Sequence, residues 1–202
     1  FHPLGSEQVG LLSALGRVLA ADVAARVTQP PAAVSAMDGY AVRADDVANV
    51  PARLRIVGQA PAGGSYDGQI NAGQAVRIFT GAEVPAGADT VVMQEKVMVD
   101  RGVLMIHDPL LRKSANIRRA GSQVRKGNKA LAKNTLLTPA AIGFLASLGL
   151  TKVKVYRKPS VSIITTGSEL VAPGKKLTAG KVYESNAVTL QTLLNREGIS
   201  KI

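Results

Sequence analysis

The chain has 202 residues, 46% of them apolar and only 3% aromatic, and a formal net charge of +11. It contains no cysteine, which excludes disulfide bonds and thiolate metal sites, and no run approaches the roughly 18 apolar residues that a membrane-spanning helix needs. The lack of cysteine fits a reducing compartment, and we expect a cytoplasmic protein without a membrane span.

The positive charge is concentrated in one interval of the chain. No acidic residue occurs between Asp108 and Glu169, whereas the rest of the chain carries 13 basic and 14 acidic residues. Such an interval attracts anions such as phosphate esters, oxyanions or nucleic acid, or it forms a solvated basic surface. Only Phe144 and Tyr156 are aromatic in it, so stacking surfaces for nucleic-acid bases are scarce and nucleic-acid binding is disfavoured. The basic residues are Arg112, Lys113, Arg118, Arg119, Arg125, Lys126, Lys129, Lys133, Lys152, Lys154, Arg157 and Lys158.

The first predicted element is a helix that begins at Ser6 and fades near Ala21. Ser6 is a suitable N-cap, and apolar residues recur behind it at spacings of three or four. The apolar positions are Val9, Leu12, Leu15 and Leu19. Thr28-Gln29-Pro30-Pro31 then ends regular structure.

The interval from about Leu54 to Asp108 has the pattern of a β domain. Short apolar runs alternate with glycine-containing turns, and Asp100-Arg101-Gly102 is typical of a hairpin. A series of strands without helices between them indicates a compact β domain. The predicted strands are Leu54–Val57, Ala75–Phe79, Thr90–Gln94, Lys96–Val99 and Val103–Ile106.

A second helix is predicted from the N-cap Thr138 to Gly149, and a strand follows at Val153–Tyr156. The final section has the order of a β-loop-α-β unit, which usually forms a parallel sheet. Its elements are a buried strand at Val161–Ile164, a helix capped by Ser185 or Asn186 that runs through Asn195, and a further run at Ile199–Ile202. Because so few strands cannot bury a sheet, we expect the chain to be a fragment of a longer protein.

Polar side chains beside glycines provide the candidate chemistry. Asp38 precedes Gly39, Thr80 precedes Gly81, and Glu169 lies on the loop after the predicted buried strand. Polar residues fixed at loops of a rigid scaffold commonly contact small ligands, and open parallel sheets place ligands after their strands. Each residue also has a simpler interpretation, since Asp-Gly is common in turns and Thr80 or Glu169 can cap its own turn.

Several segments resemble molybdopterin molybdenumtransferases, the family of the bacterial MoeA proteins and the gephyrin E domain. The resemblance covers nearly all of this chain and implies that it is about the N-terminal half of the usual family chain. The matching segments are Ser35–Arg43, Ala14–Ala20, Arg77–Ala82, Gly87–Val92 with Gln94-Glu95, Asn116–Gly121, Ala146–Gly149, Thr166–Leu170 and Tyr183–Asn186.

The resemblance implies a mixed α and β, multidomain fold. Residues 1–26 and 125–157 would form an elongated helical linker domain, residues 27–124 an inserted β domain, and residues 158–202 the start of a parallel α/β molybdopterin-binding domain. The implied reaction is insertion of molybdate into adenylylated molybdopterin with Mg²⁺ and release of AMP. The implied assembly is a homodimer, with a molybdopterin adenylyltransferase-type protein as a further partner.

The resemblance also implies roles for individual residues. Asp38, Thr80 and Glu169 would be catalytic, with Asp38 and Glu169 also binding the metal, since magnesium prefers oxygen ligands. The implied substrate-binding residues are Ser35, Asn116, Arg118, Arg119 and Ser185. For the arginines a plain surface position is an equal alternative. His2 and His107 are too few and too distant in sequence to suggest a metal site.

One position departs from the family pattern. Where relatives commonly have Gly-x-Asp, this chain has Gly121-Ser122-Gln123, and a glutamine brings no negative charge to the site. This departure leaves open a non-catalytic dimeric scaffold of the same family. The later motifs of the α/β domain do not occur within the 202 residues, so we predict that these residues alone do not catalyse the insertion.

Overall fold

A computed structural model describes residues 4–201, which are mostly β structure with two α-helices. The chain divides into two compact units. The described residues of Phe1–Val23 and Leu131–Ile202 form unit 1, and Ala24–Ala130 forms unit 2. Neither α-helix found in residues 4–201 has the length and apolar character that crossing a membrane would require.

The strands and helices are short and are numbered in chain order. The strands are β1 (Ser6–Gly10), β2 (Val23–Ala24), β3 (Val34–Ser35), β4 (Gly39–Val42), β5 (Ala52–Ala60), β6 (Gln74–Ile78), β7 (Thr90–Met93), β8 (Val97–Asp100), β9 (Val103–Ile106), β10 (Ile117–Arg118), β11 (Lys129–Leu131), β12 (Lys152–Tyr156), β13 (Leu170–Val171) and β14 (Val182–Tyr183). The α-helices are α1 (Pro139–Ser147) and α2 (Asn186–Arg196), and single 3₁₀ turns occur at Leu12–Ala14, Ala44–Val47 and Gln94–Lys96.

Unit 2 is built on a six-stranded sheet in the order β7-β4-β6-β5-β9-β8. Only the β5–β6 pair is parallel, and the other four pairs are antiparallel. Both faces of the sheet are covered, because neighbouring residues such as Ala41 and Val42, or Val91 and Val92, belong to opposite apolar clusters. This explains why β4 and β7 contain consecutive buried apolar residues, whereas Ala52 to Arg55 of β5 alternate between buried and exposed positions.

The sequence located most of the strands in this sheet. The predictions for β6, β7, β8 and β9 are confirmed within about two residues, and β5 extends further in both directions than predicted. The β8–β9 hairpin is also confirmed, with Arg101 and Gly102 both at positive φ as a two-residue turn requires. Unit 2 includes all of residues 27–124, the predicted inserted β domain. The exact boundaries of that domain stay a prediction.

Unit 1 contains an antiparallel pair, β1–β12, in which Ser6 lies opposite Tyr156 and Gly10 opposite Lys152. The predicted second helix is confirmed as α1. Its N-cap Thr138 accepts a hydrogen bond at Oγ1 from the Ala141 N–H at 3.2 Å, and Pro139 is its first residue. Leu145 of α1 and the C-cap residue Leu148 are fully buried.

The prediction of a helix from Ser6 is wrong. Ser6–Gly10 is strand β1, and only Leu12–Ala14 turns, as a single 3₁₀ turn. Two contacts explain the difference, since the backbone of β1 pairs with β12 and Arg17 Nη2 donates to Glu7 Oε1 at 2.5 Å and to the Tyr156 carbonyl at 2.7 Å. The apolar positions do not share one buried face, because Leu12 is 93% exposed whereas Leu19 is fully buried.

The prediction of a buried strand at Val161–Ile164 is also wrong. The segment has no regular secondary structure, and Ile164 is 83% exposed. A strand needs a neighbour to satisfy its backbone groups, and here the Val161 N–H donates only to the Lys201 carbonyl, at 3.0 Å. Residues 199–201 form no strand either, and Ile202 lies outside the described residues.

The predicted helix near the end of unit 1 is confirmed as α2. Ser185 occupies the N-cap position without a capping hydrogen bond from its side chain. Glu184 Oε1 instead accepts a hydrogen bond from the Ala187 N–H at 2.9 Å. Within the described part of unit 1, the parallel pairing is the short pair β13–β14.

Gly39 is the position in unit 2 that tolerates a side chain least. It is buried between β6 and β7, and a Cβ atom built on it would lie 1.9 Å from the Val92 carbonyl oxygen. We predict that Gly39→Ala lowers the free energy of unfolding by about 3 kcal/mol, because the two strands must separate. Urea titration followed by circular dichroism measures this change.

Gly143 provides a matched control for that substitution. It lies within α1, and nothing is within 4 Å of its added Cβ. Gly143→Ala should stabilise the protein by about 0.5–1 kcal/mol, because alanine favours the helix. Equal stability of Gly39→Ala and the unchanged protein would contradict the close packing of β4 against β7.

Candidate functional site

Asp38 and Thr80 contact each other in unit 2. Asp38 Oδ1 accepts hydrogen bonds from the Thr80 N–H and from Thr80 Oγ1, both at 2.8 Å. The sheet produces this contact, because β4 begins with Gly39, β6 ends with Ile78, and these two residues lie directly opposite each other. Asp38, which precedes β4, and Thr80, which follows β6, therefore meet at the same end of the two strands.

These hydrogen bonds keep Asp38 ionised. The pKa of Asp38 lies below its ordinary value, first because of the Thr80 N–H and then because of the Thr80 hydroxyl. Partial desolvation raises the pKa and the Arg77 charge lowers it further. Asp38 is exposed, and within residues 4–201 its second oxygen, Oδ2, has no hydrogen-bond partner. The site thus presents an anionic oxygen to solvent at neutral pH.

Arg77 holds the segments around this pair. Its Nη1 donates to the Gly39 carbonyl at 3.1 Å and its Nη2 donates to Gln94 Oε1 at 2.5 Å. The guanidinium carbon lies 5.0 Å from the centre of the Tyr40 ring and 4.9 Å from that of Phe79. Such cation–π contacts contribute about 0.5–1 kcal/mol each at exposed sites.

Arg77 is not among the site residues predicted from the sequence. The available signal was a lone arginine between the apolar residues Val76 and Ile78, close to Phe79. Its second aromatic neighbour, Tyr40, is distant in sequence and becomes its partner only through the β4–β6 register.

A hollow of about 450 Å³ in unit 2 is lined by Gly81, the residue after Thr80. One row of side chains crosses it, because Arg118 lies opposite Val34 in the β10–β3 pair and Val34 also lies opposite Glu83. Residues directly opposite in antiparallel pairs project from the same face. Arg118, Val34 and Glu83 therefore share one face, and Gln123 also lines the hollow.

The side chains of two predicted substrate-binding residues, Ser35 and Asn116, form hydrogen bonds within the protein. Ser35 is fully buried, and its Oγ donates to the Met37 carbonyl at 2.5 Å and accepts from the Met37 N–H at 3.3 Å. Asn116 has a positive φ, and its Nδ2 donates to the Val91 carbonyl at 2.9 Å. Both side chains fix the loops near Asp38, and their contact with substrate stays a prediction.

The two predicted arginines have different surroundings. Arg118 is exposed and lines the hollow, which Pro30 and Pro31 line as well. Arg119 is exposed too, and its carbonyl accepts a hydrogen bond from the Ser122 N–H in the turn that precedes Gln123. Arg118 is therefore the one of the two that the structure assigns to the hollow.

Glu169 and Ser185 belong to unit 1. Glu169 is exposed and lines a hollow of about 480 Å³ together with Thr165, Thr166 and Asn186. The Ser185 carbonyl accepts hydrogen bonds from the N–H and the hydroxyl of Thr189. The convergence of Glu169 with Asp38 and Thr80, which lie in unit 2, stays a prediction.

The residues that the structure describes contain no group of three histidine, cysteine, aspartate or glutamate side chains placed to hold a metal ion. His107 is part of that search, and His2 lies outside the described residues. A metal at Asp38 would therefore need most of its ligands from water or from a bound substrate.

Comparison with known proteins identifies the family. The family described as the MoeA N-terminal region (domain I and II) matches residues 2–149, which include Asp38, Thr80 and Gln123. The chain belongs to the MoeA family. The match ends before Glu169, so the family match itself does not cover the predicted site residues near the end of the chain.

Individual relatives support the same assignment. This MoeA-family chain is 38% identical over 194 residues to a molybdopterin molybdenumtransferase of Haemophilus influenzae, and the match covers 96% of this chain and 48% of the relative. It is 40% identical over 202 residues to the protein of the same name from a Nostoc species, with 98% and 46% covered. The chain spans about half the length of the curated relatives it matches.

The fold also resembles a solved structure. A crystal structure of the molybdopterin biosynthesis moeA protein from Pyrococcus horikoshii OT3 matches with a TM-score of 0.85 at 36% identity. The match covers 97% of this chain and 53% of that one. The predicted membership of this family is thereby confirmed, whereas the detailed domain description given by the resemblance stays a prediction.

Proposed function

We propose that this chain acts in molybdenum cofactor biosynthesis, as part of a molybdopterin molybdenumtransferase that inserts molybdate into adenylylated molybdopterin and releases AMP. The names of the H. influenzae and Nostoc relatives support the reaction. The observation that carries the proposal is the ionised, exposed Asp38 bound to Thr80 beside a hollow that contains Arg118. We also propose a cytoplasmic location.

The arrangement suits an anionic substrate. Arg118 provides a planar, permanently charged donor for a phosphate or an oxyanion, and it has no competing ion pair among residues 4–201. Pro30 and Pro31 add apolar surface to the same hollow, which fits a flat ring system. We assign the binding of substrate phosphate to Arg118.

The residues fit magnesium only in part. Mg²⁺ is commonly bound by one or two carboxylates, several waters and substrate phosphates, and Asp38 Oδ2 is a free carboxylate oxygen of the required kind. We propose Asp38 and Glu169 as magnesium ligands. When bound, the ion would offset negative charge on the substrate phosphates and molybdate. Thr80 keeps Asp38 ionised and oriented for this role.

The other two functions considered from the sequence have less support. The family assignment favours the enzyme over a non-catalytic scaffold, because the relatives are named as transferases. A nucleic-acid-binding module would use stacking aromatics, but Phe144 is a half-buried residue of α1 and Tyr156 Oη donates to Asn134 Oδ1. Salt-sensitive duplex binding without affinity for adenylylated molybdopterin would favour that module.

The first test of the proposal is Asp38→Asn in the complete gene product. The variant keeps the side-chain size but removes the charge, and we expect molybdate-dependent AMP release from adenylylated molybdopterin to fall at least about 100-fold. Asp100→Asn is the matched control, because Asp100 lies in the β8–β9 hairpin and three strands separate β8 from β4 in the sheet. Unchanged AMP release by Asp38→Asn would contradict the proposed site.

Glu83 supplies a carboxylate to the hollow that Gln123 does not. Because Glu83 and Gln123 line the same hollow, a negative charge on either side could face the substrate or its metal. We therefore expect Glu83→Gln to lower AMP release about tenfold and the added change Gln123→Asp to restore most of it.

The double-variant design separates a charge effect from damage to the fold. Gln123→Asn, added to Glu83→Gln, shortens the side chain without adding charge and should restore nothing. Recovery with both second-site changes, or with neither, would show that the charge of Glu83 is not what the hollow requires. Thermal melting of each variant checks that the protein is folded.

We further propose that the protein forms a homodimer and that an adenylyltransferase-type protein delivers its substrate. Exposed leucines on unit 1 support a partner surface there, since Leu12 is 93% exposed, Leu4 is 60% exposed and Leu15 is 56% exposed. We expect light scattering of the complete gene product to give twice the monomer mass. Leu12→Glu should shift that mass toward the monomer, whereas Leu110→Glu, an exposed leucine of unit 2, should not.

A further inference from the structure

We propose that Arg77 is a positioning residue for the reaction, with its single guanidinium holding the Asp38 turn, the end of β6 and the segment after β7 in one arrangement. The inference rests on the proposed function, because it gives Arg77 a role in that reaction. Arg77 itself need not touch the substrate, since it acts through Asp38 and Thr80.

The contacts of Arg77 all lie next to these two residues. Gly39, whose carbonyl accepts from Nη1, directly follows Asp38, and Phe79, whose ring packs on the guanidinium, directly precedes Thr80. Gln94 accepts from Nη2 and its own N–H donates to the Asp38 carbonyl at 3.1 Å. One side chain therefore joins the three segments that determine where the Asp38 carboxylate points.

The position requires arginine for a geometric reason. Two different nitrogens donate to two acceptors on separate segments, while the flat guanidinium packs against two rings. Lysine carries its charge on one compact ammonium group, which cannot reproduce the fork or the packing on both rings. In a chain with four tyrosines and three phenylalanines, two of these seven aromatics contact one arginine.

Arg77 also contributes to the charge environment of Asp38. The pKa of Asp38 is lowered mainly by the Thr80 N–H and hydroxyl, and the positive charge of Arg77 lowers it further. Glu95, which follows Gln94, is the acidic residue on the segment after β7, and it accepts a hydrogen bond from Gln94 Nε2 at 3.2 Å. Removing the arginine would leave Asp38 with the Thr80 donors but without the opposing positive charge.

The experiment compares Arg77→Met and Arg77→Lys with the control Arg55→Met in the complete gene product. Arg55 is an exposed arginine on β5 of the same sheet, outside the hollow and the Asp38 site. For Arg77→Met we expect kcat for AMP release to fall about 100-fold, with KM changed less than about threefold, because a displaced reactive group mainly affects the chemical step.

The second readout is amide hydrogen exchange at Thr80, whose N–H donates to Asp38 Oδ1. In Arg77→Met this exchange should become at least about tenfold faster, because the Asp38 turn loses the side chain that fixes it. Arg77→Lys keeps the charge but not the fork, so the exchange rate should change less while kcat still falls about tenfold. Arg55→Met should change neither.

The two readouts separate a positioning role from a purely structural one. Loss of activity in Arg77→Met with Thr80 amide exchange like that of the unchanged protein would overturn the inference, and so would full activity in both Arg77 variants. If the methionine variant does not fold, the lysine variant decides by the same criteria. No AMP release by the unchanged protein would refute the proposed function, whereas the amide exchange of Thr80 would still test whether Arg77 fixes the Asp38 turn.

Discussion

The two hydrogen bonds from Thr80 to Asp38 Oδ1 are the interaction on which the site depends. They exist because the β4–β6 register places Gly39 opposite Ile78, so that Asp38 before β4 and Thr80 after β6 meet at the same end of the two strands. A slip of one residue would turn every side chain of β4 to the other face and separate the pair. Gly39 maintains this register, since its lack of a side chain lets β4 lie against the Val92 carbonyl.

Much of unit 2 was predictable from sequence because its strands are local patterns. Apolar runs separated by glycine turns predicted β6 to β9. In unit 1, the N-cap Thr138 and the following Pro139 likewise predicted α1. The first strand, β1, was not predictable, because the spacing of Val9, Leu12 and Leu19 fits a helix. This strand exists only through its pairing with β12. That pairing joins residues more than 140 positions apart, which no local window of the sequence contains.

The site shows the same division between local and long-range information. Asp38 and Thr80 were found because each stands beside a glycine within a family motif, although the two glycines differ in their roles. Gly81 has the positive φ expected of a turn, while Gly39 is required by the close approach of β7. Glu83 could not be found from the sequence, since it joins Arg118 in one row only through the two pairings of Val34.

The net charge of the chain gives less information about function than the surroundings of individual charges. The guanidinium of Arg77 is occupied by the Gly39 carbonyl, Gln94 and two rings, so its charge acts within the protein. Arg118 is exposed in the hollow and is free to meet an anion there. A carboxylate near anionic substrates is unfavourable unless a cation offsets it. We therefore propose separate tasks for the two basic groups, with Arg77 fixing the geometry of Asp38 and Arg118 compensating the charge of the substrate.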